Sequence, residues 1–222
     1  MKLLKSLEEL LYEVMVMLVF FPRTLFLTMR HPQRMMDYAD TELGDVQSEQ
    51  YSDTLSPPLF LMICLVFGHL LELALPGESP VRLPAFLQDH QNLLIFRVFM
   101  FSLLPLILSL RLMSKLGIAL DRETLRPVFY SQCFVTAPLT MLIALAAAIG
   151  RAGGESSAII GALVMAGGVV WYLAQQALWF RAKLGSGLMT AAINAVGAAL
   201  VAGALIITAA FAVIVAGGAY PA

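Results

Sequence analysis

His69, Glu72 and Arg97 are the residues whose types and spacing could do chemistry in a chain otherwise poor in such groups. Arg97 is the single charge in the run 92–110. A charge inside so apolar a run is costly unless it has a partner. Glu72 has the opposite sign, and His69 precedes it by three residues, so on a helix the two share a face. A carboxylate, an imidazole and a permanent cation together are the makings of a proton- or anion-linked site. The same residues also suit a purely structural ion pair, or an arginine that carries its charged head to the membrane interface along its own stem. Asp89 and His90, just ahead of the run, offer Arg97 a second partner.

The elements that must position these groups are helices. The run 92–110 is long enough to cross a hydrocarbon layer. Four further runs of comparable character lie at 58–75, 128–149, 158–180 and 189–215, and the last is long enough to tilt. Between them stand the expected breakers: Pro76-Gly77 and Pro80, Gly117, Gly153-Gly154, then Gly185 and Gly187. With 59% hydrophobic and 13% charged residues the chain is too apolar for an ordinary soluble domain. The reading is an all-α integral membrane protein of five transmembrane helices with an N-terminal amphipathic interfacial helix. Eleven basic residues fall in the N-terminal segment and the second and fourth connectors, against only Arg82 and Arg151 in the first and third. That bias predicts a cytoplasmic N-terminus and an outside C-terminus. It also puts Glu72 and Arg97 at one depth, roughly 6–8 Å below the outer boundary at 1.5 Å per residue.

A second polar set is expected near the inner face. Gln132, Gln175, Gln176 and Asn194 each lie about one turn from the inner end of their spans. Equal depth permits one interhelical hydrogen-bond cluster, with Ser131 and Tyr130 at its edge; such amides more often join helices than line a pathway. Pro105 and Pro138 fall near the middle of their spans, where they tend to kink a helix. The small residues Gly161, Gly167, Gly168, Gly197 and Gly203 permit close helix approach.

Three domains are expected: 1–35 as amphipathic interfacial helices, 36–57 as an acidic cytoplasmic segment, and 58–222 as the five-helix bundle. In the first, Leu3, Leu4, Leu7, Leu10, Leu11, Val14 and Met15 share a helical face opposite Lys5, Glu8, Glu9, Tyr12 and Glu13. The apolar piece 14–21 is cut off by Pro22 and Arg23, too early to span. Glu8, Glu9 and Glu13 also break up the uncharged core that a cleavable signal needs. In the second, Asp37, Asp40, Glu42, Asp45, Glu49 and Asp53 have no Lys or Arg among them, which suits a solvated linker, a polar helix or a surface for a basic partner.

Other functions are disfavoured. A net charge of −1 lacks the basic excess that nucleic acid demands. Cys64 and Cys133 sit in apolar runs without metal-ligand spacing, so they read as small core residues, and no metal or cofactor is expected. Neither metalloprotease, serine-hydrolase nor phosphate-loop motifs occur, so no enzyme is expected.

The stretch FFPRTLFLTMRHPQRM at 20–35, a polar segment, SPPLF at 56–60 opening the first span, and five spans together resemble the Yip family in layout. The resemblance implies a non-enzymatic role in organising a membrane or a membrane complex. Its partners would be membrane lipids and another membrane protein or a second copy. The Ala/Gly-rich C-terminal half suggests a bacterial chain, hence the plasma (inner) membrane. Two rival readings remain: a small permease using His69, Glu72 and Arg97, and an accessory subunit of a larger complex.

Overall fold

The computed structural model describes residues 2–44, 50–75 and 84–216. It contains α1 (Lys2–Arg30), α2 (Pro32–Glu42), α3 (Pro57–Ala74), a 3₁₀ turn (Ala85–Leu87), α4 (His90–Leu116), α5 (Arg122–Arg151), α6 (Glu155–Leu184) and α7 (Leu188–Ala216). Among the described residues there is no strand. Helices α3 to α7 are each long and apolar enough to cross a membrane. They cover the five expected runs except for Leu75, and α4, α5 and α6 extend theirs by a turn or more.

Their ends follow from local chemistry. Asp121 caps α5 by accepting from the backbone N–H groups of Glu123 and Thr124, while Thr124 returns a bond to the Asp121 backbone. Those bonds, Thr124 foremost, hold the Asp121 carboxyl below its usual range. At the other end of α4, Gly117 takes the left-handed conformation (φ 66°) that closes the helix without a Cβ penalty. Pro105 and Pro138 are accommodated inside continuous helices.

Helix α5 is the centre of the bundle, with α2, α3, α4 and α6 packed on it. All ten residues from 131 to 140 are buried, so this helix is covered on every side. Its neighbours divide the core. Val135 and Leu139 join Leu108 of α4, Tyr172 and Trp179 of α6 and the α7 alanines 191, 195, 198 and 202 on one flank. Phe134 and Ala137 join Phe60 and Cys64 of α3 and Met35 of α2 on the other. By contrast only 11% of the most apolar window of α7 is buried, against 61% for α5. An outer helix that leaves so much apolar surface uncovered suits a lipid surrounding.

Glycine is needed where α5 and α6 touch. A Cβ on Gly161 would fall 2.6 Å from the Ala146 carbonyl oxygen and 2.9 Å from the Gly150 nitrogen. Gly167, Gly197 and Gly203 face open space instead, so the close approach in this half of the chain depends on glycine at Gly161 and Gly168 and on alanines along α7.

In the N-terminal region Pro22 cuts the apolar piece 14–21 but not the helix, which runs unbroken to Arg30 and turns at His31 into α2. The lone proline costs one hydrogen bond, and tertiary contacts offset it: Phe21 stacks on Phe67 with centroids 4.8 Å apart. The expected boundary at 35/36 falls inside α2, between the buried Met35 and Met36. Helix α2 presents an apolar face to α5 while its acidic face is engaged within the chain. Asp37 and Asp40 lie 3.2 and 2.9 Å from Lys183, and Asp53 pairs with Arg23 at 3.0 Å. Asp45 and Glu49 lie outside the described residues.

Candidate functional site

At the end of the bundle where α3 finishes and α4 begins, His69, Glu72 and Arg97 come together as their spacing implied. Glu72 accepts from the Arg97 guanidinium at 2.6 Å, and the other Arg97 nitrogen lies 3.3 Å from His69 Nδ1. An arginine can only donate, so His69 Nδ1 accepts and the imidazole proton sits on Nε2. That Nε2 is buried and has no partner among the described groups. Asp89 is spent otherwise: it caps α4 by accepting from the Gln91 N–H at 2.7 Å. His90 faces the His69 ring at 5.6 Å.

Arg151, which sequence reasoning treated only as a connector charge, closes the cluster. Its guanidinium is 3.9 Å from the same Glu72 oxygen, and it comes from the last turn of α5. Depth was the available signal, since Arg151 ends a span at the same face. One carboxylate therefore sits between two permanent cations, leaving net positive charge. A cavity of about 150 Å³ adjoins it, lined by Gly68, His69, Glu72, Arg97 and Thr140 among others. The site can hold charge. Among the described residues no group of three His, Cys, Asp or Glu side chains suits a metal.

The expected inner cluster resolves into three separate contacts. Gln176 donates to Gln132 at 2.6 Å in the fully buried core. Gln175 points away from this pair and receives the Gln33 amide of α2 at 3.0 Å. Asn194 accepts from Arg111 of α4 at 2.9 Å. The reason is angular: equal depth does not bring side chains together when adjacent residues on a helix point about 100° apart. Ser131, expected at the cluster's edge, donates to the Met36 carbonyl at 2.8 Å and fastens α2 to α5. Tyr130 lies under the Arg126 guanidinium, 5.2 Å from the ring centre.

The region between the two sets is nearly all apolar. Thr140 and Thr136 lie on one face of α5 above Gln132, but their hydroxyls bond to the Ala137 and Gln132 carbonyls of their own helix. The Tyr172 hydroxyl, the Gln132 Nε2 and the Gln176 Oε1 are buried without a partner that meets hydrogen-bond geometry. Cys64 and Cys133 are free and buried, as small core residues.

Comparison with protein-family models, with characterised proteins and with solved structures found no match. What the fold and site define is a class: a multi-pass membrane protein of five apolar helices.

Proposed function

We propose that this is a non-enzymatic membrane protein that organises a membrane complex through its N-terminal helices. The observation that carries the reading is the arrangement of α1 and α2. Helix α2 is fixed to the bundle by Lys183, Gln175 and Ser131, while α1 leaves Leu11, Val14, Met15, Leu18 and Val19 exposed. An anchored helix with an open apolar face is a means of holding a neighbour. The Yip-like layout agrees with that role, and the basic-residue bias favours a cytoplasmic N-terminus in a bacterial inner membrane. On this reading the Glu72 cluster locks α3, α4 and α5 together.

The rival permease draws on one specific feature, the cavity beside Glu72. Against it stands a mainly apolar interval, in which the Ser102, Thr136 and Thr140 hydroxyls are bonded to their own helices.

A photoreactive residue at Leu18 should give a discrete protein adduct in intact membranes, while one at Leu163 on the open face of α6 should not. Absence of that adduct, together with a solute flux in proteoliposomes that Glu72→Gln abolishes, would replace this reading with the permease.

A further inference from the structure

Helices α4 and α5 leave a groove of about 710 Å³ between them, away from the Glu72 cluster. Phe99, Leu103, Leu106 and Leu110 of α4 form one wall, and Leu125 and Phe129 of α5 the other. Ser102 is the polar side chain on the α4 wall, and its hydroxyl is satisfied by the Val98 carbonyl at 2.6 Å. From Phe99 to Leu110 the wall is about 16 Å long at 1.5 Å per residue. That is roughly half the 30 Å hydrocarbon thickness, the reach of one leaflet.

The groove ends at two arginines. Arg122 and Arg126, one turn apart on α5, line its end and also line an adjoining, more polar cavity of about 530 Å³. Neither forms an ion pair with a described carboxylate; Arg126 rests on the Tyr130 ring. Three carboxylates share these spaces without an ion pair to either arginine: Asp121 lines the groove and accepts from the α5 backbone, Asp40 lines the adjoining cavity and pairs with Lys183, and Glu123 lines that same cavity. An apolar slot of leaflet length that ends at two guanidiniums outside any described ion pair matches an apolar chain with an anionic head.

We propose that this groove binds one anionic phospholipid, with an acyl chain between α4 and α5 and the headgroup phosphate on Arg122 and Arg126. The preference for charge comes from the arginines, and the single stoichiometry from the groove's half-bilayer length.

Native mass spectrometry of the full chain, released from vesicles holding equal amounts of phosphatidylglycerol and phosphatidylcholine with identical chains, tests this. The expected result is one dominant lipid adduct, with phosphatidylglycerol favoured at least fivefold. Arg122→Gln with Arg126→Gln should bring the ratio back to that of the vesicle. Leu106→Trp should remove the adduct for both lipids, whereas Leu163→Trp, on the open face of α6, should leave it unchanged. Leu103→Phe replaces Leu106→Trp if that variant is not monodisperse. A preference that survives loss of both arginines, or an adduct that survives the filled groove, overturns the proposal. So does displacement of the lipid by millimolar glycerol phosphate, which would mark the site as one for a soluble anion.

Discussion

Glu72 stands between two arginines, so the three possible neutralisations should not cost the same. In Arg97→Gln the carboxylate loses its 2.6 Å partner but keeps Arg151 at 3.9 Å. At an effective dielectric of about 20, a charge pair near 4 Å is still worth about 4 kcal/mol before desolvation. In Glu72→Gln both guanidiniums lose their counter-charge and are left facing each other. Stranding one member of a buried pair costs about 3–5 kcal/mol. Glu72 and Arg97 side chains are 16% and 24% exposed, so the upper end of that range belongs to a drier site than this one. We therefore expect about 3 kcal/mol for Glu72→Gln, about half that for Arg97→Gln, and less for the double variant than the two together. The coupling should exceed about 1 kcal/mol in a double-mutant cycle. Unfolding by SDS titration in mixed micelles measures all three. Additive effects would refute the pairing, and Arg97→Gln costing more than Glu72→Gln would refute the part assigned to Arg151.

Further outcomes follow from the packing. Gly161→Ala should destabilise by about 1–3 kcal/mol, because its Cβ meets backbone atoms that cannot rotate away; Gly167→Ala, facing open space, should change the same unfolding midpoint little. Gln132→Leu leaves the buried Gln176 amide unpaired at about 1–3 kcal/mol, whereas Gln132→Leu with Gln176→Leu should recover most of the loss. Lys183→Met removes the half-exposed tie to Asp37 and Asp40, worth no more than about 1 kcal/mol; hydrogen exchange should then rise in α2 and not in α5.

The outer site was legible because a charge in an apolar run has few solutions: Arg97 needed a carboxylate at its own depth, and Glu72 was available. The five helices were legible for a related reason, since apolar runs of that length admit little else. The inner amides were not, because depth fixes only one coordinate. Whether Gln132 meets Gln176 or Asn194 depends on helix rotation, which is set by the distribution of Phe134 and Val135 between the two flanks of α5. Helix α2 was half legible. Its acidic residues stood out, but the buried Met35, Met36 and Ala39 on the opposite face form a stripe too short to separate from a linker. The continuation of α1 through Pro22 depends on contacts such as Phe21 with Phe67, which local sequence does not encode.

The central claim is that five helices cross the bilayer and hold α1 and α2 at the basic face. The native cysteines are both buried, so single cysteines introduced at Thr41, Lys115, Glu155 and Gly187 can be labelled with a membrane-impermeant maleimide against little background. In intact cells Glu155→Cys should react and the other three should not, and all four should react once the membrane is opened. Reaction of Thr41→Cys or Lys115→Cys from outside, or of Glu155→Cys and Gly187→Cys from the same side, would contradict the account.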